Sequence, residues 1–260
     1  MKKYTTFYTV LSASSLCFMA TVNAFTVSPQ NAAIIGERIW KNECAGTVEG
    51  LTNWKKGENF PSLGIGHFIW YQTDKKERFQ ETFPELLKFL DKEGVALPDW
   101  LKSASGCPWT SREEFNKDMQ SPKMKSLRQF LFDTRSLQAL FMAKRLEDSL
   151  PIMIKDCSNE NIEKITVNFN LLSKDAKGLY ALLDYLNFKG NGVSAEESYN
   201  GKGWGLRQVL QTLSPTSQHL LADFVEAAKS ILKQRVQNSP PERKEEQWLK
   251  GWYNRLDTYL

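Results

Sequence analysis

Two hydrophobic periods run through this chain, and the place where one gives way to the other limits what it can fold into. From about residue 84 to the C-terminus, apolar residues recur at helical spacing, in segments near 84–93, 111–119, 123–132, 134–154, 158–171, 175–188, 204–213, 215–236 and 241–258. Start signals punctuate them: Thr110-Ser111 ahead of Arg112-Glu113-Glu114, Ser158 with Asn161, and Pro240-Pro241 before an acidic first turn. Another helix opens at Ser28-Pro29, an N-cap followed by Pro at the first helical position. It carries Ala32, Ile35 and Ile39 at spacings of three and four and is expected to end near Gly46. Between Thr47 and Tyr71 the pattern changes. Glycines at 50, 57, 64 and 66, Pro61 and the aromatic-rich run Leu63 to Tyr71 predict short strands and turns. The expectation is a mainly α protein of α+β type, with one small β-hairpin lobe at about 47–75 after the first mature helix. No repeat, low-complexity tract or Gly/Ser linker divides residues 25–260, which are read as a single domain.

The N-terminus reads as a targeting segment. Lys2 and Lys3 precede an uncharged stretch from Tyr4 to Val22, and Val22-Asn23-Ala24 fits a small-residue cleavage site, so residues 1–24 are taken as a signal peptide. The apolar part is interrupted by Thr and Ser and is short for a transmembrane anchor. A periplasmic or secreted, unanchored protein is expected, with a monomer as the default state. Losing Lys2 and Lys3 lowers the formal charge from +4 to +2, too even a balance to argue for nucleic acid. With 41% hydrophobic and 25% charged residues, about 236 mature residues suffice for a real core. Cys44, Cys107 and Cys157 remain, an odd number, so one disulfide at most can close within a monomer. Cys44 with Cys107 is the expected pair, because it would tie the loop before Trp109 to the end of the first helix. With only His67 and His219 beside them and no CxxC spacing, no metal site and no cofactor are expected.

Glu43 follows Ile39 by four residues and Ile35 by eight, so it continues the buried stripe of the first helix. Desolvation there raises a carboxyl pKa, and a carboxylic acid still protonated near neutrality can donate to a leaving glycosidic oxygen. By periodicity alone, the commoner outcome is a helix-end Glu paired with an Arg or Lys. A glycosidase needs a second polar group across the cleft, and Glu58 and Ser62 lie in the segment that follows. Aromatic rings suit sugar faces, and Trp54, Trp70, Tyr71, Trp109, Tyr199 and Trp204 are the ones expected near a cleft. Trp248 and Trp252, four apart on the last helix, are expected to be core.

In the order of its motifs the chain resembles the phage-type lysozymes of the lysozyme-like superfamily. In that family a catalytic Glu ends the first helix, a β-rich lobe follows, and a Gly-Ile-Gly-His run comes after it. Glu43 and Gly64-Ile65-Gly66-His67 reproduce this order. Asn187-Phe188-Lys189-Gly190-Asn191-Gly192-Val193 is similar to a Phe-x-x-Gly-x-x-Gly-Val turn of those enzymes, and Asn238-Ser239-Pro240-Pro241-Glu242-Arg243, with Trp252 and Tyr259, to their closing segment. Residues 75–175 carry no matching motif. The resemblance implies a lysozyme-like fold with Glu43 as proton donor, Ser62 standing for a Thr that helps position water, Arg243 for an Arg that pairs with the catalytic Glu, and His67, Gly64 and Gly66 as structural residues. An ungapped count back from His67 puts Lys56 where the family has its catalytic Asp, so Glu58 serves only if the loop is shifted by two; Glu49 is next in line.

The implied activity is that of a muramidase-like glycoside hydrolase cleaving peptidoglycan, with a polysaccharide as partner. The alternatives are a noncatalytic glycan-binding or envelope protein with a degenerate lysozyme fold, a lytic transglycosylase, which runs on a single Glu, and a chitosanase-like enzyme. Other chemistries find no support. Gly64-Ile65-Gly66 lacks the sixth-position Gly and the following helix of a dinucleotide fingerprint, and neither a phosphate-binding Gly-x-x-x-x-Gly-Lys run nor a Gly-x-Ser-x-Gly elbow occurs.

Overall fold

The computed structural model describes residues 27–73, 75 and 79–260, and the expected signal peptide lies outside them. Among these residues the protein is mainly helical, with a small antiparallel sheet near the start and a two-stranded hairpin near the end. Helix α1 spans Pro29–Glu43. Ser28 caps it by accepting from the Asn31 backbone N–H at 3.1 Å, and Ala32, Ile35 and Ile39 are buried along one face. The chain leaves α1 through two left-handed residues, Ala45 (φ 53°) and Gly46 (φ 63°), earlier than the expected end near Gly46. The Gly46 N–H turns back to the Trp40 carbonyl at 3.2 Å, closing the helix end.

Three two-residue strands form the β lobe: β1 (Thr52–Asn53), β2 (Ser62–Leu63) and β3 (Phe68–Ile69), antiparallel in that order. Leu63 pairs with Thr52 on one side and with Phe68 on the other. The helices that follow are α2 (Phe83–Lys92), α3 (Asp99–Lys102), α4 (Arg112–Lys117), α5 (Pro122–Asp133) and α6 (Arg135–Ile154). After them come α7 (Asn159–Leu172), α8 (Ala176–Lys189), α9 (Leu206–Thr212), α10 (Leu220–Asn238) and α11 (Glu246–Asp257). Side chains of Ser111, Ser121, Ser158 and Asp175 cap α4, α5, α7 and α8, each by accepting a first-turn backbone N–H. Such caps each contribute about 1 kcal/mol. Pro241–Arg243 forms a separate 3-10 turn, so the final helix starts later than the two prolines suggest. Among the described residues no helix is long and apolar enough to cross a membrane.

The turn between β2 and β3 is held from the helical body. Gln138 of α6 is fully buried, accepts from the Ile65 N–H at 2.9 Å, and donates to the Leu131 carbonyl at 2.7 Å and to Thr134 Oγ1 at 2.9 Å. Gly64 makes room for this amide: at φ +69°, a Cβ there would lie 2.4 Å from Gln138 Oε1. A Cβ at Gly66 would fall 2.5 Å from the Phe68 ring.

Several aromatic expectations need correction. Trp54, Trp70, Tyr71, Trp109 and Trp204 are core residues instead of cleft walls. Trp70 packs on Phe83 (4.9 Å between ring centroids), Trp100 (6.5 Å) and Trp109 (6.4 Å), while the Trp109 indole N–H donates to Asp118 Oδ2 at 2.9 Å. The β lobe and the loop beside it carry few aliphatic side chains, so these rings supply the apolar volume. Trp204 follows the hairpin of β4 (Ser198–Tyr199) and β5 (Lys202–Gly203), whose turn residues Asn200 and Gly201 both take positive φ, and the Arg235 guanidinium lies 4.0 Å over its ring. Tyr199 is half-buried, stacked 4.6 Å from Trp204, with its hydroxyl donating to Glu245 at 2.8 Å. Trp248, expected in the core, is exposed, and Trp252 is partly so. Cys44, Cys107 and Cys157 are all free thiols. The expected Cys44–Cys107 disulfide is not formed: the Cys44 thiol faces the Gly64 carbonyl and the Cys107 thiol the Trp109 carbonyl.

Candidate active site

Glu43 is the last residue of α1, and its side chain is only 9% exposed. The helix stripe that buries Ile35 and Ile39 carries the carboxyl into the seam between the β lobe and the C-terminal helices. One oxygen meets the Arg255 guanidinium of α11, and the other lies 3.4 Å from Nδ1 of His67. The family-like expectation placed Arg243 on Glu43, and this is corrected. Arg243 instead donates to Glu245 at 3.0 Å, a carboxylate that Arg235 also grips at 2.7 and 2.9 Å. The glutamate's guanidinium comes from Arg255, two turns into α11, whereas Arg243 sits on the turn before it.

An arginine beside a carboxyl ordinarily favours its ionised form, yet Glu43 is pushed up to about 7, chiefly by burial. The reason is that Arg255 is already engaged. It donates twice to Asp184 of α8, both at 2.8 Å, and Asp184 also accepts from the Tyr259 hydroxyl at 2.6 Å. Arg255 and the buried Asp184 therefore balance each other. Ionising Glu43 would add a second negative charge in the same buried space, and Asp184 further favours the acid by hydrogen bonding with Glu43. Glu43 therefore titrates near neutrality, at about 7, instead of in the usual carboxylate range. His67 is held below its usual range at about 4, by burial first and then by the Lys55 and Arg255 charges, so it is neutral beside the acid. Its backbone takes a left-handed φ of 49°.

The second carboxylate is less well defined. Glu58 lies in the turn between β1 and β2; its backbone carbonyl accepts from the Trp54 indole at 2.7 Å, and one carboxyl oxygen is buried without a hydrogen-bond partner. Burial raises its pKa, while Lys55 opposes that. The same Lys55 charge is felt by Glu43 and His67, so the turn brings Glu58 and the helix end within one electrostatic neighbourhood. Lys56, at the ungapped position of the family's Asp, is exposed, and so is Glu49 on the 3-10 turn Glu49–Leu51. Ser62 is buried in the middle strand.

Asp184, Arg255 and Lys55 were not among the residues singled out by sequence, and Tyr259 was named there only as part of the closing segment. Asp184 leaves a trace there, as an acid inside the apolar run Leu182-Leu183-Asp184-Tyr185. Lys189 is another. It is buried, its ammonium nitrogen lies 3.5 Å from the Trp252 ring centroid and 3.9 Å from that of Phe188, and burial together with nearby Arg235 and Arg255 lowers its pKa to about 6. Two surface hollows, of about 230 and 450 Å³, are lined by Pro108, Trp109 and Lys123 and by Leu172, His219 and Leu260, among others; Glu43 lines neither. Among the described residues no group of three side chains is placed to hold a metal ion.

What this arrangement can do is exchange a proton on one carboxyl near neutral pH, with a guanidinium and an imidazole beside it. No protein-family model matches the chain, and no curated protein or solved structure matches it either.

Proposed function

We propose that the chain is a lysozyme-like glycosidase that cleaves peptidoglycan, with Glu43 as general acid. The observation that carries this reading is the buried Glu43 carboxyl at the end of α1, raised to about 7 and held against Arg255 and His67 beside the β lobe. In this reading the acid protonates the glycosidic oxygen as the bond to the sugar breaks, and positive charge develops on the ring. Arg255, tied to Asp184, positions the carboxyl without stripping its proton. Glu58, whose buried oxygen lacks a partner, would stabilise that charge or activate water, and Ser62 lies on the adjacent strand. The motif order described above, from Glu43 through Gly64-Ile65-Gly66-His67 to the closing helix, supports the fold assignment, and the leader-like N-terminus supports a periplasmic or secreted location.

A lytic transglycosylase is the second reading. It is favoured by exposed Lys56 at the position where the family's Asp is expected. Zymography on purified sacculi tests both. The wild type should clear them, with activity falling as pH rises through about 7 while Glu43 loses its proton, and Glu43→Gln should not clear. A reducing end in the product identifies the hydrolase and a 1,6-anhydro end the transglycosylase. Equal clearing by Glu43→Gln removes Glu43 from the mechanism, and absence of clearing by the wild type favours a noncatalytic glycan-binding protein.

A further inference from the structure

Of the eight tryptophans, Trp248 alone is exposed, with 43% of its surface open. It stands one helical turn from Trp252 on α11, their ring centroids 6.1 Å apart and their planes inclined by 43°. Trp252 is held rigidly from below. The Lys189 nitrogen lies 3.5 Å from its ring centroid, the Arg235 guanidinium carbon 5.0 Å away, and Phe188 meets it edge to face at 6.4 Å. The same face of α11 continues to Arg255, whose guanidinium covers Phe188 at 4.1 Å and reaches Glu43. Trp248 and Arg255 are seven residues apart, about 10 Å along the helix axis. A chain of contacts therefore runs from exposed Trp248 through Trp252, Phe188 and Arg255 to Glu43.

We infer that Trp248 and Trp252 form a stacking surface for pyranose rings of the glycan strand that Glu43 cleaves, so that α11 extends the substrate site. This rests on the reading of Glu43 as a glycosidase acid. Three features favour a sugar chain as the occupant. The patch is linked to Glu43 through Phe188 and Arg255, it consists of aromatic rings instead of an aliphatic groove, and Trp252 is already packed against Lys189 and Arg235, so stacking costs little further ordering.

The test uses Glu43→Gln protein so that bound sacculi persist, and measures co-sedimentation with purified peptidoglycan. Adding Trp248→Ala should weaken binding about fivefold to tenfold, with Trp248→Phe restoring most of it and the melting temperature unchanged. Unaltered binding by the Trp248→Ala form overturns the inference, as does failure of the Glu43→Gln parent to bind at all. A fall in solution mass on Trp248→Ala with unaltered binding also overturns it, assigning the patch to a second copy of the chain. Clearing by wild type against Glu43→Gln is read separately, so loss of the catalytic reading is not confused with loss of the stacking surface.

Discussion

Replacing Glu43 by Gln should make the protein more stable at alkaline pH and leave it unchanged at acidic pH. Glu43 is raised from 4.5 to about 7, so between these values the folded state holds a proton that the unfolded chain has released. Stability conferred by the wild-type residue therefore falls as pH rises from about 4.5 to about 7, and the loss is complete above that. At 1.36 kcal/mol per pH unit the cost of the ionised folded form is about 3 kcal/mol. Glutamine has no charge to bury, can accept from Arg255 through its oxygen, and can donate to Asp184 through its nitrogen. For a domain of this size the gain corresponds to roughly 5 to 10 °C in melting temperature. His67, lowered to about 4, adds an opposite slope between 6.5 and 4, where acid destabilises the fold, and this slope is present in both proteins. Thermal melts of both forms at pH 4 and pH 8 decide the matter. A difference that is the same at both pH values, or a wild type more stable than Glu43→Gln at pH 8, refutes a buried carboxyl that resists ionisation.

Arg255→Ala strands the buried Asp184 carboxylate and should cost about 3–5 kcal/mol in a urea melt, whereas Arg243→Ala, at a half-open site where Arg235 still holds Glu245, should cost under about 1 kcal/mol. Gly64→Ala combines a left-handed backbone with a contact on Gln138 and should lose about 2 kcal/mol or more, while Gly57→Ala, at φ +88° with nothing within 4 Å, should lose only about 1 kcal/mol by the same melt. Cys44 and Cys107, both buried with thiols raised to about 12, should react with a thiol reagent only on unfolding, and a reductant should leave the melting temperature unaltered.

The helical register of this chain is legible because it is local. Ser28, Ser111, Ser121 and Ser158 cap helices through their own third neighbours, and Ile35 and Ile39 bury by spacing alone. Glu43 was legible for the same reason, since it extends that stripe. What surrounds it was not. Arg255 and Asp184 come to Glu43 from helices that are far off in sequence, and a motif-like Arg243 sat near enough in the chain to mislead. Loop tryptophans misled in another way. A Gly-flanked ring such as Trp204 reads as exposed, yet Tyr199 and the Arg235 guanidinium pack on it, while Trp248, on a regular helix, is the one left open.

The amide of Gln138 belongs to the long helix α6 but grasps a turn that belongs to the β lobe. Any breathing of that lobe must therefore pivot on this buried clasp or tear it, since the amide is also anchored at Leu131 and Thr134. The other side of the lobe is fastened elsewhere, since Arg112 of α4 donates to the Trp54 carbonyl at 2.7 Å and Arg128 of α5 to Thr52 Oγ1 at 2.8 Å, so three different helices each hold their own corner of it.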